Sequence, residues 1–418
     1  MFLTQSNIIR CLSKEEYSML FEMCQYSNNL YNFGLYNVRQ YFFHEKKFLR
    51  YEENYHHCKL NENYKLLQAG IAQQTLKIVN RSFLSFFNLL KKASHGEYRY
   101  HDIKLPHYKK KGGLFPLILS TNAMRFVDGY FVMPMSREFS KRHPGKIIRI
   151  TFPKRLEGKK IKEVRILPLG NGKCFKIQYC YEQNIEKQDV SVDKVLAIDI
   201  GLENLATCIT NTGTSFIMDG RKIKSINQYW NKRKAYFQTI ASKQKLKSTN
   251  RLFRLTRRRN NQVKDYMNKT ARYIINYCIN NQIGTVVCGY NPEFKKGMNL
   301  GKKTNQQFTQ ISFGELRNTL SNLCERYGMR YIEQEESYTS KASCLDLDEI
   351  PVYNAEHPYE GKFKGKRIYR GLYQFQNGQT ANADVNGAAN ILRKSKQNFN
   401  FEELCRGLLD SPLRIRIS

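Results

Sequence analysis

The sequence predicts a multidomain α+β protein, and three observations predict it. Apolar residues recur at helical spacing between residues 13 and 103, short alternating runs take over between 104 and 182, and from residue 194 apolar strand-like runs are separated by long helical stretches. At 418 residues the chain is long enough for two or three domains with proper cores.

Met1–Cys11 reads as a strand-like entry, and Ser13-x-x-Glu16 is a capping-box signature for a helix start. Leu20, Cys24, Tyr31, Leu35, Val38 and Phe42 then recur at helical spacing. A second helix is expected over Tyr64–Lys92, with Leu67, Ile71, Gln74, Ile78 and Arg81 stepping down one face. Lys104–Gly113 (KLPHYKKKGG) is a basic connector punctuated by Pro and Gly, and it carries Lys109, Lys110 and Lys111. Strand-like runs follow at Leu117–Ser120, Met124–Val127, Tyr130–Pro134, Lys146–Phe152 and Glu163–Leu167. The last of these enters a hairpin, because Gly170-Asn171-Gly172 is a tight-turn signal and Phe175, Ile177, Tyr179 and Tyr181 alternate beyond it.

Glu182–Asp193 is a polar linker, after which strands are expected at Val195–Ile200, Leu205–Thr210 and near Phe216. Arg221–Arg272 is helical and the most basic stretch of the chain. It holds Lys232, Arg233, Lys234, Arg254, Arg257, Arg258 and Arg259 against a single acid, Asp265. So long a run without compensating acids repels itself unless a polyanion binds, so these cations are candidate nucleic-acid contacts. Tyr229, Trp230, Tyr236 and Phe237 interleave with them and can either pack the helix or stack on bases. A buried strand at Gly284–Cys288, a basic loop at Lys295–Lys303 and a helix near Phe313–Arg326 come next. They lead to a strand ending at Glu336, an irregular Gly-rich segment (Asp346–Thr380) with a hairpin at Arg367–Phe375, a helix opened by Asp384, and a tail, Ser395–Ser418.

The formal charge of +33 is extreme for an enzyme of small neutral substrates and points to a polyanionic partner whose binding weakens as salt rises. No apolar run approaches the roughly 20 residues of a spanning helix, which argues against a membrane partner. The N-terminus breaks its apolar character too soon for a signal peptide, so a cytoplasmic location is expected. The 11 cysteines are scattered without a CxxC, as in chains that use thiols as small core residues. His56-His57-Cys58 reads as surface or core filler, since three consecutive residues of regular structure cannot all face one ion.

Three acids stand out. Lys194–Gly201 (KVLAIDIG) ends an apolar strand on Asp199; Gln334–Lys341 (QEESYTSK) carries Glu335 and Glu336 after an alternating segment; Asn382–Ile391 (NADVNGAANI) opens a small-residue helix with Asp384. Each acid alone is more often a turn former or a cap. Three of them at element ends are what a divalent-metal phosphodiesterase site requires, because hard cations take carboxylate oxygens and two such ions can clamp an in-line displacement.

The three blocks, in order and in wording, resemble the RuvC-type, RNase H-like core of the TnpB (OrfB) proteins of bacterial insertion sequences, relatives of the type V CRISPR effectors. YTSK (Tyr338–Lys341) and DVNGAANI (Asp384–Ile391) are the most specific phrases, and AQQTL (Ala72–Leu76) adds to them. The resemblance implies a split β-barrel (wedge) from residues 1–12 and 104–182, interrupted by a helical recognition insert at 13–103. An RNase H-like nuclease domain at 194–418 would follow, with 345–380 in place of a zinc ribbon. That ribbon's four cysteines are missing, only Cys344 remaining nearby, so no structural Zn²⁺ is expected. The implied activity is RNA-guided cleavage of double-stranded DNA beside a short motif, with a guide RNA from the transposon end. Two Mg²⁺ ions, with Mn²⁺ as an alternative, would be bridged by Asp199 and completed by Glu336 and Asp384.

One position departs from the pattern. The middle acid of the family closes an earlier strand, which here reads Thr285–Asn291 (TVVCGYN), with Gly289 where the Glu would stand. Either the site is dead and the protein an RNA-guided repressor, or the acid has moved to the neighbouring strand end. Eukaryotic relatives (the Fanzor proteins) carry a Glu at the spacing of Glu336. Glu335, the alternative, faces the other side of an extended strand. A third reading is an accessory protein that binds transposon DNA without a guide.

Overall fold

The computed structural model describes residues 1–291, 301–354, 357, 359–397 and 412–417, with the backbone alone at 302–304. It divides into two units, Met1–Asn184 and Ile185–Ser418, both mixtures of helix and sheet.

The first unit opens with strand β1 (Phe2–Ile8) and the helices α1 (Lys14–Glu45), α2 (Tyr51–Cys58), α3 (Glu62–Lys65) and α4 (Ala69–Ser94). The predicted capping box is complete: Glu16 N–H donates to Ser13 Oγ at 3.1 Å, and Ser13 N–H to Glu16 Oε2 at 2.8 Å. Five of the six α1 residues read as a stripe are buried, and the sixth, Phe42, packs at its margin against Phe83 and Phe87. On α4 the expected stripe is displaced. Beyond Ile71, the buried face is Ala72, Thr75, Leu76, Val79 and Phe83, while Gln74 and Ile78 are half-buried and Arg81 is exposed. The reading passed over Thr75 as polar, although its hydroxyl donates to Ile71 O within the helix and meets Ser27 Oγ at 3.1 Å, which lets it pack inside.

Strands β2 (Leu117–Ser120), β3 (Arg125–Val127), β4 (Tyr130–Val132), β5 (Arg149–Thr151), β6 (Ile161–Leu169) and β7 (Cys174–Glu182) follow, with helix α5 (Arg137–Arg142) between β4 and β5. They form two antiparallel sheets, β1-β7-β6-β2 and β3-β4-β5, and one core takes side chains from both and from α1 and α4. The β6–β7 turn has Gly170, Asn171 and Gly172 all at positive φ, and a Cβ on Gly172 would lie 2.5 Å from the Phe21 ring, so both backbone and packing require glycine there.

The second unit contains β8 (Ser191–Asp199), β9 (Asn204–Thr210), β10 (Ser215–Asp219), α6 (Arg221–Lys243), α7 (Asn250–Asn280) and β11 (Ile283–Tyr290). These are followed by α8 (Lys302–Gln310), α9 (Phe313–Tyr327), β12 (Arg330–Glu335), the small sheet β13 (Lys366–Tyr369), β14 (Leu372–Gln374), β15 (Thr380–Asn382), then α10 (Ala383–Lys394) and β16 (Leu413–Ile415). Its main sheet has the order β12-β11-β8-β9-β10-β16. β8, β11 and β12 run parallel, whereas β9 is antiparallel to both β8 and β10. Period-two alternation sorts the side chains: Leu196, Ile198, Val286 and Cys288 enter the core shared with α7 and α9, while Val195, Ala197 and Val287 enter the one shared with α10.

The sequence reading ends the chain in a tail. Three of its residues instead pair parallel with β10, Phe216 opposite Leu413 and Met218 opposite Ile415. Leu413, Ile415 and Ile417 alternate with Arg414 and Arg416, a short period-two signal that the tail reading did not use. Most of the expected loop at Lys295–Lys303 and of the tail lies outside the described residues.

Candidate active site

Asp199 closes β8, so by alternation its side chain follows Val195 and Ala197 to the face covered by α10. The helix can come close because residue 387 is glycine: a Cβ there would lie 2.8 Å from Asp199 Oδ2. Asn382 caps α10, its Oδ1 accepting from the N–H groups of Asp384 and Val385 at 3.0 and 3.3 Å. That cap sets Asp384 in the first turn, where the helix dipole favours an acid. Asp384 Oδ2 accepts from Asn204 Nδ2 at 2.5 Å, and the Arg367 guanidinium stands 3.6 Å from its Oδ1.

Glu336 is the first residue past β12. In register, Gly289 of β11 pairs with Gln334 and Tyr290 with Glu335. The Glu336 side chain therefore leans from β12 over β11 toward β8. It occupies the space above Gly289, where a Cβ would be 2.6 Å from Glu336 Oε2, 2.7 Å from Ile391 Cδ1 and 3.4 Å from Ile198 O. Glu335 is engaged elsewhere. Its carboxylate receives Lys394 Nζ at 2.5 Å and Ser337 N–H at 2.7 Å.

The YTSK phrase forms the turn after Glu336, with Tyr338 at φ 63° and Thr339 Oγ donating to Glu336 O at 2.8 Å. Two buried amides one helical turn apart on α10 bolt this turn down. Asn390 Nδ2 donates to Thr339 O and Ala342 O at 2.9 and 2.6 Å, and Asn386 bonds Ala342 O and Cys344 N at 2.9 and 3.0 Å. The two most specific phrases of the sequence are thus the two halves of one hydrogen-bonded joint.

The electrostatics are those of crowded like charges. Asp199 is held well above the carboxylate range by burial, then by the charges of Glu336 and Asp384, with Arg367 opposing. Burial, followed by the Glu335 charge, pushes Glu336 up to about 7 against Arg317. Burial would raise Glu335 too, but Lys394 and Ser337 outweigh it and hold that carboxyl below its usual value. All three candidate acids keep a half-exposed face.

Carboxylate oxygens are hard ligands of the kind Mg²⁺ or Mn²⁺ takes, and a dication would relieve the repulsion that Glu336 and Asp384 exert on Asp199. Among the described residues, however, no three His, Cys, Asp or Glu side chains stand close enough to form a finished cage. Asp384 is instead held by Asn204 and Arg367.

The cationic candidates divide. Arg254 and Arg258 are exposed on α7, as is Lys232 on α6. Arg259 is structural: Nε donates to Asn227 Oδ1 at 2.7 Å, Nη2 to Gln310 O at 2.5 Å, and the guanidinium lies 5.3 Å from the Trp230 ring centroid. Lys234 lies 4.7 Å from the centroid of Trp230, Arg233 4.9 Å from that of Phe237, and Arg257 6.0 Å from that of Phe253. Trp230 and Phe237 therefore pack within the α6–α7 pair, whereas Tyr229 and Tyr236 are 63% and 57% exposed, the Tyr236 ring lying against Phe237 and under Arg233. In the first unit Lys109, Lys110 and Lys111 are all exposed, Lys109 resting 5.1 Å from the Tyr31 ring centroid. His56 and His57 are exposed and Cys58 is buried, its thiol beside Asn54.

Residues missed by the sequence reading are Asn204, Arg367, Lys394, Asn386, Asn390 and Gly387. The last three sit inside the DVNGAANI phrase, where Asn and Gly amid small apolar residues at helical spacing were a usable signal. Arg367 opens the expected hairpin, on β13, but nothing in the sequence joins it to Asp384.

Comparison with known proteins yields two family matches. Residues 178–294 match OrfB_IS605, described as a probable transposase, and residues 313–391 match the TNB domain of Cas12f1-like proteins. The TnpB-like protein ORF457 of Acidianus two-tailed virus is 26% identical over 94% of this chain and 86% of its own. Among solved structures, the Cas12f1–sgRNA–target DNA complex superposes with a TM-score of 0.58 at 14% identity, covering 91% of this chain and 83% of that one. The mini RNA-guided endonuclease CRISPR-Cas_phi3 does so with 0.51 at 10% identity, covering 96% and 94%. The mixed α/β fold is thus that of Cas12-type effectors. No helix among the described residues is long and apolar enough to cross a membrane.

Proposed function

From this kinship with the TnpB (OrfB) proteins and the type V CRISPR effectors, we propose that the chain is a transposon-type RNA-guided DNA endonuclease. Its catalytic residues are Asp199, Glu336 and Asp384. The observation that carries the reading is Glu336: its carboxylate fills the space that Gly289 vacates and raises the affinity of Asp199 for a proton. A site that had lost its middle acid by decay would have no reason to hold a second acid over the gap. This favours the nuclease over the guided repressor.

In this reading Asp199, Glu336 and Asp384 would hold Mg²⁺, which would supply a readily deprotonated water as nucleophile and positive charge beside the departing 3′ oxygen. Gly387 and Gly289 admit the carboxylates, and the Asn386 and Asn390 joint fixes the turn that presents Glu336. Asn204 orients Asp384. The exposed cations Arg254, Arg258, Lys232 and Lys109–Lys111 neutralise backbone phosphates of the guide RNA and DNA target, while Tyr229 and Tyr236 stack on bases. The region 1–12 with 104–182 serves as the wedge, 13–103 as the recognition insert and 194–418 as the nuclease domain.

The test is Mg²⁺-dependent cleavage by the purified protein, co-expressed with its own downstream locus, against a DNA library with randomised flanks. Cleavage lost in Asp199→Ala, Glu336→Ala and Asp384→Ala, with RNA binding retained, supports the reading. Guide-dependent binding without any cut would make the protein a repressor, and binding that survives RNase treatment would make it a guide-independent accessory protein.

A further inference from the structure

At the sheet edge formed by β10 and β16, far along the sheet from β12, one carboxylate is surrounded by cations. Asp219, the last residue of β10, is 5% exposed. The Arg221 guanidinium grips it through Nε at 3.0 Å and Nη2 at 2.6 Å, while Arg221 N–H donates to Oδ1 at 2.9 Å. From the last described strand Arg414 and Arg416 approach the same carboxylate to 3.9 and 3.7 Å. Lys222 Nζ donates to Ile417 O at 3.0 Å, and Tyr266 of α7 donates its hydroxyl to Asp219 O, which ties the strand and both helices together.

A cavity of about 380 Å³ opens here, lined by Asp219, Arg221, Lys222, Tyr266, Arg416 and Ile417. Three guanidinium groups meet one acid, and Lys222 adds a fourth cation to the cavity wall. A single carboxylate cannot engage three guanidinium forks, and the Arg221 and Arg416 side chains remain 52% and 76% exposed. The cavity also sits at the N-terminus of α6, a helix of 23 residues whose cap, Gly220, offers no side-chain acceptor. Dipole and guanidinium groups therefore favour the same occupant, an oxyanion with several acceptor oxygens. The helices that meet here, α6 and α7, are those that carry the uncompensated basic run, which favours a phosphodiester over an acidic peptide.

We propose that this cavity is a phosphate-binding site, built when β16 docks on β10, that takes a backbone phosphate of bound nucleic acid through Arg221 and Arg416, while Arg414 helps neutralise Asp219. The proposal rests on the nucleic-acid-binding half of the function proposed above and not on its catalytic half.

The experiment is fluorescence-anisotropy binding of a 30-base-pair DNA duplex to the full chain across 50–300 mM KCl. The proteins compared are wild type, Arg416→Gln and Arg414→Gln/Arg416→Gln, with thermal melts of each without DNA. Each lost phosphate contact makes the slope of log affinity against log salt shallower by about 0.9. The double variant should lose about one such unit and bind roughly three- to tenfold more weakly at low salt, and Arg416→Gln should show the larger part of that loss with an unchanged melt. A slope and affinity equal to wild type in Arg416→Gln would overturn the proposal and leave the arginines as a clamp for the strand. A wild-type melt raised by millimolar inorganic phosphate, with DNA binding unaltered by the variants, would also overturn it in favour of a free-anion site. A wild type that binds no duplex even when loaded with its co-expressed RNA would remove the proposed function itself.

Discussion

Replacing Gly289 by alanine adds one methyl group at the position on which the active-site reading depends. Its Cβ would stand 2.6 Å from Glu336 Oε2 and 2.7 Å from Ile391 Cδ1. To recover ordinary contact at 3.4 Å the carboxylate must retreat by about 0.8 Å and the Ile391 methyl by about 0.7 Å. Both atoms end flexible side chains, so the loss of stability should be near the low end of the 1–3 kcal/mol typical of overpacking, about 1 kcal/mol. The chemistry is less forgiving. A displacement of about 1 Å in a reacting group can slow a reaction about 10²-fold, so single-turnover cleavage in Mg²⁺ should fall about 10- to 100-fold while guide and target binding hold. Moving the acid back to β11, in Gly289→Glu/Glu336→Ala, should restore cleavage above either single variant, because β11 and β12 lie only about 4.8 Å apart. A Gly289→Ala protein that cleaves within twofold of wild type would refute the argument, since Glu336 could not then be acting from above residue 289.

Three further expectations separate roles. Glu335→Ala should leave the cleavage chemistry intact but destabilise the fold by about 1–3 kcal/mol, because Lys394, 7% exposed, loses its carboxylate; Glu336→Ala should do the reverse, as chemical denaturation beside cleavage rates will show. In metal-free buffer the raised carboxyls of Asp199 and Glu336 mean that the folded chain binds more protons than the unfolded one, so stability should fall as pH rises from about 4.5 to about 7. Glu336→Gln should therefore melt higher than wild type at pH 8, by about 1 kcal/mol after allowance for its half-exposed face, and should no longer gain from added Mg²⁺; melts at pH 5 and 8 read both effects. Finally, Arg259→Ala should lower the melting temperature, leaving Asn227 and Gln310 O without their donor, whereas Arg254→Ala should lower only RNA affinity and its salt slope.

Much of the local structure was legible in the chain. The capping box at Ser13 and Glu16, the Gly170–Gly172 turn and the buried strands ending on Asp199 and crossing Val286–Cys288 each show as a pattern among residues near in sequence. Where reading failed, the cause was a partner far along the chain. Thr75 is buried because Ser27 meets it, and β16 is a strand only because β10 offers an edge. Arg367 lies next to Asp384 because a hairpin folds back over the start of α10.

By itself, then, the sequence determined the charge that calls for a polyanionic partner, the three acids and their places at the ends of elements, since charge and alternation are properties of the chain alone. It also reduced the missing acid to a choice between loss and relocation. Spacing and alternation already preferred Glu336 to Glu335, but only the tertiary structure set the Glu336 carboxylate over Gly289. Glu335 ends β12 and Glu336 follows it, and the sides they take depend on the β11–β12 register and on Lys394 reaching across from α10 to hold Glu335. It alone, too, gathered Asp219, Arg221, Arg414 and Arg416 about one cavity, because residues nearly 200 positions apart become neighbours only when a sheet edge pairs them.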